Sequence, residues 1–403
     1  MKWPVVSFNS LFLEPQRNGI HKPKEFHGSG TKIVNMGELF AFRFVGAQPM
    51  KRLQLEGDES TRFGLENGDL LFARRSLIES GAGKCVVVEK LNEAAVFESS
   101  LIRVRLDPTK CDSRFYFYYF QDQPGRGEIE AIITGAAQKG IRGSELAEID
   151  VHEPPLPTQR KIASILSAYD DLIENNTRRI TILEEMAQSL YREWFVEYRF
   201  PGHEEARFVD SLLGKIPEGW HQHLGDVITL KRGYDLPQRE RRAGAVPLVS
   251  SSGITDFHDE AMVKGPGVVT GRYGTLGDVF YVPEDFWPLN TTLYVQNFKG
   301  NEPLLIVQLL RSLNLGSQNA AGAVPGVNRN ALHLLDVAFP PDTIQERIAS
   351  AFEALERGCR NLRLRSENLR TTRDLLLPKL MTGQVDVEDL DIDIGESLAE
   401  ADA

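Results

Sequence analysis

The chain has 403 residues, 41% of them hydrophobic and 26% charged, with a formal net charge of −11; that length implies two or three domains, and the composition is ordinary for a globular protein. No apolar run reaches the ~18 residues of a membrane span, and the opening MKWPVVSFNS has no apolar signal-type segment. Three widely spaced cysteines, Cys85, Cys111 and Cys359, fit a reducing cytoplasm and argue against a disulfide framework or a cysteine metal site.

Residues 1–155 are expected to form a first mixed α/β unit. Short β-type runs at 69–74, 85–88 and 101–105 are punctuated by Gly and Pro, and a helix-like segment follows at 114–121. A long helix is expected over 156–200, with no Gly or Pro between 158 and 198. Ile162, Leu166, Tyr169, Ile173, Asn176, Ile180, Leu183, Ala187, Leu190 and Trp194 follow in steps of 4 and 3, with one polar member, Asn176. That spacing is a heptad seam.

Residues 201–340 read as a second unit of the same kind, entered through a Gly-, Pro- and charge-rich linker over 201–218. Its β-type runs are 246–249, 267–270 and 278–282, and its helix-like segment is 302–313. Ser99, Ser100 and Leu101 in the first unit and Thr291, Thr292 and Leu293 in the second occupy comparable places. A second long helix is expected over 341–382, with Gly358 inside it and Pro378 as its stop. Its seam is Ile348, Phe352, Leu355, Cys359, Leu362, Ser366, Leu369, Arg373 and Leu376, weaker at Ser366 and Arg373. About 40 residues make a rod of roughly 60 Å. Two rods that cannot bury their own stripes should pair, antiparallel.

Residues 383–403 read as a disordered acidic tail, eight acids and no base lying between 384 and 403. Without it the net charge is −3, and basic clusters stand out at Lys51–Arg52, Arg74–Arg75, Lys231–Arg232 and 239–242. A near-neutral body with local basic clusters is compatible with DNA binding.

The chain also repeats itself. GIRGSELAEIDVHEPPLPTQRKIAS, from Gly140, aligns without a gap on GVNRNALHLLDVAFPPDTIQERIAS, from Gly326, with ten of 25 positions identical. Chance would supply roughly two. The second seam follows the first at the same offset of 186. The fold class is therefore a duplicated two-domain α/β (α+β) architecture, two mixed α/β domains joined by two long antiparallel coiled-coil helices.

Catalytic motifs are absent. Gly81–Ala82–Gly83–Lys84–Cys85 lacks the first Gly and the Ser or Thr of a phosphate loop, and Gly265–Gly271 spaces its glycines wrongly for a dinucleotide loop. There is no His-Glu-x-x-His and no Gly-x-Ser-x-Gly. His221 and His223 fit a solvent-facing strand start better than a metal site. A binding or organising protein is favoured over an enzyme, with no catalytic or metal-ligating residue assigned.

The stretch from Gly135 to Ile180 resembles the central conserved region of type I restriction–modification specificity (S) subunits, and that from Gly326 through Leu377-Pro-Lys-Leu-Met-Thr-Gly-Gln resembles their distal conserved region. KRGYDLP from Lys231 and VKGPGVVTGRYGT from Val263 resemble stretches of their target recognition domains. Residues 36–64 match no stretch of that kind. The resemblance implies that each unit is a target recognition domain reading half of a bipartite double-stranded DNA site. The helices would set the spacing and dock two methyltransferase (M) subunits, which restriction/translocase (R) subunits would join. It implies a non-catalytic chain of the prokaryotic cytoplasm, required for DNA adenine methylation and ATP-dependent cleavage by the holoenzyme. S-adenosylmethionine, ATP and Mg would bind the partners. The alternative is a coiled-coil scaffold or sensor that binds proteins rather than DNA.

Candidate DNA contacts are Arg74, Arg75, Ser76, Lys139 and Arg142 in the first unit. In the second they are Lys231, Arg232, Tyr234, Arg239, Arg241, Arg242, Ser251, Ser252, Arg272, Tyr273 and Thr275. Guanidinium forks suit guanine edges and phosphates, and short hydroxyls can approach the backbone. Each Arg also reads as a solvated surface charge, and Lys139 and Arg142 as braces of the helix junction. Gly271, Gly274 and Gly277 read as turn formers.

Overall fold

The computed structural model describes residues 3–135, 138–313, 315 and 326–392. The chain divides into two units, Met1–Asn175 with Arg365–Ala403, and Asn176–Leu364.

Unit one is built on a five-stranded sheet in the order Phe12–Asn18, Leu101–Leu106, Leu70–Ala73, Cys85–Val88, Phe44–Val45. The first four strands run antiparallel to their neighbours, and the last pairs parallel. Leu70–Ala73 and Cys85–Val88 are buried at every residue, so both faces of the sheet are covered and continuous apolar runs suit it. The helix Ser113–Tyr119 packs on it, its start capped by the Asp112 carboxylate, which accepts from the Phe115 N–H at 2.9 Å. Phe8, Phe72, Tyr116 and Phe120 form the aromatic centre of this core. The unplaced stretch 36–64 supplies the helices Met36–Ala41 and Glu59–Phe63, the edge strand Phe44–Val45, and Lys51–Leu53 of a smaller sheet with His27–Val34 and Ala95–Phe97.

Unit two repeats the central order with Thr229–Arg232, Thr292–Asn297, Gly267–Gly271 and Val279–Val282, antiparallel throughout. Its packed helix is Pro303–Ser312, capped by Glu302. Beside it lies a three-stranded sheet of Gly253–His258, Val246–Ser250 and Trp287–Pro288. Each unit is also closed by a strand pair, Val5–Ser7 with Asp150–His152 and His221–His223 with Asp336–Ala338, whose second strands lie at matching repeat positions. The expected strands and both short helices are therefore present.

The long helices are Leu156–Tyr191 and Asp342–Met381. In unit one, Ile162 and Leu166 share a core with Leu377, Leu380 and Met381, and Asp170 pairs with Arg373. In unit two, the Cys359 thiol reaches the Ile180 carbonyl at 4.0 Å, and Ala187 and Tyr191 share a core with Ile348 and Phe352. Numbers rise along one helix as they fall along the other, so the pairing is antiparallel. All named seam positions are buried or half-buried.

Three expectations change. The first helix gives way at Tyr191 to a wider π-type turn, Arg192–Val196, and Tyr198 takes a left-handed φ of 56°. Phe195 and Tyr198 there turn onto Trp220, at ring separations of 6.0 and 5.8 Å. Pro378 does not stop the second helix, because Leu377, Leu380 and Met381 are buried in unit one and hold the last turn. Nor is the start of the acidic tail free chain: Val387 is buried, and Lys161 Nζ donates to the carbonyls of Glu388 and Leu390 at 2.8 Å each. The rest of the tail, 393–403, lies outside the described residues. Gly358 leaves the helix unbroken, and a Cβ there would stand 3.1 Å from Leu183 Cδ1, in space that side chain uses.

Candidate nucleic-acid interface

In both units the loop leaving the central buried strand begins with an arginine fixed by its backbone. The Arg74 N–H donates to the Ser100 carbonyl at 2.8 Å, and its own carbonyl accepts from Ile141 at 3.0 Å. The Arg272 N–H donates to Thr291 at 2.8 Å, and its carbonyl accepts from Val327 at 3.0 Å. Ile141 and Val327 are repeat positions, as are Gly140 and Gly326, which bridge to Arg75 and Tyr273. Arg74 is thus the counterpart of Arg272 and Arg75 of Tyr273. Nothing in the repeat spacing from 140 onward marks that equivalence, because the loops differ in length.

Around Arg74, Ser76 and Lys139 lie on the paired strands Arg75–Ser76 and Lys139–Gly140. The Arg74 guanidinium donates to the Ser99 carbonyl at 3.4 Å. Arg142 is 75% exposed on its side chain and faces Glu145 at 3.4 Å. Lys139 stands opposite Ser76 on that strand pair.

Around Arg272, the guanidinium lies 4.4 Å from the Tyr273 ring centre and donates to its hydroxyl at 3.2 Å. Ser251 and Ser252 form the turn after Val246–Ser250, tied by the Ser252 N–H to Ser250 Oγ at 3.1 Å. Gly271 and Gly274 let that turn approach: a Cβ at Gly271 would stand 1.9 Å from the Thr275 carbonyl oxygen and 3.4 Å from Ser251 Cβ. Gly274 has φ +83°, as a turn former should. Arg272, Tyr273, Thr275, Ser251 and Ser252 thus belong to one edge.

The other candidates fall into two groups. Lys231 Nζ lies 5.4 Å from the Tyr234 ring centre and donates to its hydroxyl at 3.4 Å, and that hydroxyl meets Tyr294 Oη at 3.0 Å. The Tyr294 bond, then Lys231, draws the Tyr234 phenol below its ordinary pKa, while burial pushes that of Tyr294 up. The remaining arginines have carboxylate neighbours: Arg232 with Asp235 at 3.4 Å, Arg239 with Glu240 at 3.4 Å, Arg241 with Asp256 at 3.3 Å and Arg242 with Asp259 at 2.7 Å. Arg74, Arg75 and Arg272 meet no carboxylate among the described residues. They keep their charge for an outside anion at least desolvation cost.

The repeated Pro-Pro-x-x-x-Gln stretch explains how each unit is joined to its helix. Gln159 donates to the Pro154 carbonyl at 2.8 Å and accepts from the Asp112 N–H at 2.9 Å. Gln345 donates to Pro340 at 3.0 Å and accepts from the Glu302 N–H at 3.2 Å. Asp112 and Glu302 are the caps of the two packed helices. The buried Asp170, which the seam pattern missed, accepts from Tyr118 Oη at 2.6 Å, pairs with Arg373, and has Arg43 at 3.6 Å. A polar Arg373 at a seam position was the available signal for such a partner.

His221 and His223 lie on an exposed strand and both face Asp336, at 2.9 and 3.4 Å. Among the described residues no cluster of His, Cys, Asp and Glu has metal-holding geometry. Burial pushes the thiols of Cys85, Cys111 and Cys359 above their usual range, which leaves them poor nucleophiles. No described helix is long and apolar enough to cross a membrane.

A duplicated sheet that carries a matched arginine loop in each copy, each copy tied to a long paired helix, defines a two-headed recognition protein. Residues 41–185 and 217–368 match the family model for the type I restriction modification DNA specificity domain, and the chain belongs to that family. It is 27% identical over 305 residues to the type I restriction enzyme MjaIX specificity subunit of Methanocaldococcus jannaschii, covering 69% of this chain and 70% of that one. It is 26% identical over 199 residues to the StySPI specificity subunit of Salmonella potsdam, covering 48% of this chain and 42% of that one. The fold is similar to that of the crystallised type I restriction-modification S subunit from M. genitalium, with TM-score 0.57 and 19% identity over 94% of this chain and 96% of that one.

Proposed function

We propose that this chain is the DNA-reading subunit of a type I restriction–modification complex of a prokaryotic cytoplasm, each unit binding one half of a bipartite duplex site. The observation that carries it is the pair Arg74 and Arg272, each of whose carbonyls accepts from the same repeat position, Ile141 and Val327, and both free of carboxylate partners among the described residues. Arg75, Ser76 and Lys139 extend the face in unit one. Tyr273, Thr275, Ser251, Ser252, Lys231 and Tyr234 extend it in unit two, with Arg142, Arg232, Arg239, Arg241 and Arg242 at its rim. The recognition domains are 1–155 and 201–340, and the spacer segments 156–200 and 341–382 carry the helices Leu156–Tyr191 and Asp342–Met381.

The paired helices set half-site spacing and dock two methyltransferase subunits, which restriction/translocase subunits join. Apolar residues exposed on the helices support a protein partner: Leu172 and Leu375 in unit one, and Ile182, Met186 and Leu364 in unit two, each 48–62% exposed. S-adenosylmethionine, ATP and Mg act on those partners, and methylation and cleavage belong to the assembly. The test is a DNA-binding assay with the methyltransferase partners present. Sequence-selective binding that needs this chain supports the reading. Partner assembly without any DNA preference sinks it in favour of a protein scaffold.

A further inference from the structure

Unit one carries something on its arginine loop that unit two does not. After Arg75 and Ser76 the loop turns outward through Leu77 and Ile78, which are 85% and 63% exposed. The loop is braced beneath this tip. Ile78 N–H donates to Ser76 Oγ at 3.2 Å, and Gly81 N–H donates to the Ile78 carbonyl at 3.2 Å. Arg126 reaches across to the carbonyls of Ala82 and Ser80, at 3.0 and 3.3 Å. Phe40 closes the base: a Cβ at Gly81 would stand 3.1 Å from its ring, and Lys84 Nζ sits 5.1 Å from the ring centre. In unit two the matching loop has Gly274 and Thr275 at its tip, and Leu276 folds back half-buried onto the core.

We propose that Leu77 and Ile78 form an aliphatic wedge that enters the base stack of the half-site held by unit one. The proposal rests on the DNA-reading role of this same face. Two side chains on a narrow loop are far too small for a stable protein interface, which needs about 800 Å² from each partner. They are the size of wedge that parts one base step, where Leu and Ile are used for that purpose. Charge complementarity names the occupant. Arg74 and Arg75 precede the tip, neither paired with a carboxylate among the described residues, and the single acid Glu79 follows it, so the loop carries a net positive charge that favours phosphate. The brace supplies the stiffness that a wedge needs to part a base step without folding away.

The test uses the full chain assembled with its methyltransferase partners, on a duplex carrying the site mapped from methylated DNA. 2-Aminopurine, which brightens when unstacked, is placed at successive steps of both half-sites. Besides the target adenines that the methyltransferases themselves extrude from the stack, the expected result is a severalfold rise at one further step of one half-site, lost in the Leu77→Ser/Ile78→Ser double variant while the other half-site is unaffected. Both residues are exposed, so the variant should keep its thermal midpoint and its partners. The wedge is overturned if the wild-type complex binds with no brightened step beyond the extruded adenines, if the further rise survives in the variant, or if the variant loses its protein partners. Failure of the underlying reading looks different: the wild-type complex would not prefer that duplex over a scrambled one, which overturns both.

Discussion

Gln159 and Gln345, 186 positions apart, make the same two bonds in their separate units. Each side-chain amide donates to the first carbonyl of its Pro-Pro pair and accepts from the cap residue of the helix packed on the sheet. The glutamine therefore fastens the recognition unit to the start of its long helix. Gln159 is fully buried. Gln159→Ala strands the Asp112 N–H and the Pro154 carbonyl, at about 1–3 kcal/mol for each unsatisfied group. Urea denaturation should show a loss of about 2–6 kcal/mol, and a loss under about 0.5 kcal/mol would mean the clamp carries no weight.

The ion pair of Asp170 and Arg373 makes a second stability claim. Asp170 is 5% exposed on its side chain, whereas Asp374, the other carboxylate on Arg373, is 62% exposed. Asp170→Ala removes the buried carboxylate on Arg373, leaving that guanidinium the exposed Asp374 and stranding the Tyr118 hydroxyl, and should cost about 3–5 kcal/mol. Asp374→Ala should cost about 0–1 kcal/mol. Equal effects in thermal or chemical denaturation would contradict the burial argument.

For DNA binding, the equivalence of Arg74 and Arg272 predicts equal but separable effects. Alanine at either should flatten the salt dependence of binding by about one unit of slope if it neutralises a phosphate, or cost about 1–3 kcal/mol and relax one base position if it reads guanine. Each change should map to a different half-site. Arg242→Ala should do much less, because Asp259 at 2.7 Å and Glu260 at 3.4 Å already hold that side chain. A larger effect at Arg242 than at Arg272 would move the interface to the 238–242 loop.

A pH effect follows from His333, whose Nε2 accepts the Leu230 N–H at 2.9 Å and so must be unprotonated. Burial, then Arg329 and Lys299, lowers its pKa from the ordinary 6.5. The unfolded chain therefore takes up a proton before the folded one does. Stability contributed by this group is complete above about pH 6.5 and falls as pH drops below it, levelling off once the folded histidine titrates. Because the ring is only partly buried, the hydrogen bond sets a ceiling of about 1 kcal/mol. Comparing wild type with His333→Gln between pH 8 and 5 should show that acid loss only in wild type. Parallel curves would contradict it.

Much of this fold was legible in the sequence because its signals are local. Cys85–Val88 and Leu70–Ala73 are apolar at every residue, as buried strands require, and the 4–3 seams mark the helices. The ends of those helices were not legible. Pro378 normally stops a helix, but burial of Leu380 and Met381 outweighs one lost hydrogen bond. Trp194 keeps the seam spacing, yet the chain widens there to lay Phe195 on Trp220. In the interface, the arginines were visible as residue types. Which of them already have a carboxylate brought by the fold, as Arg241 and Arg242 do, depends on how the strands over 246–258 pair and could only come from the structure. Asp170 and the Leu77–Ile78 tip escaped notice because each is ordinary in sequence and significant only by its burial or exposure.

The central claim is that one chain reads two half-sites at a distance set by its helices. Four residues inserted near Asn176, about one turn, would lengthen one rod by roughly 6 Å and act as a local stutter in the seam. The direct measurement is sequencing of methylated sites in cells carrying the partner subunits with either the wild-type or the inserted chain. The account predicts a bipartite motif for both, with the same two half-sites and a spacer longer by about one or two base pairs in the insertion variant, at 3.4 Å per pair. A single uninterrupted motif, or an unchanged spacer with full activity, would contradict it.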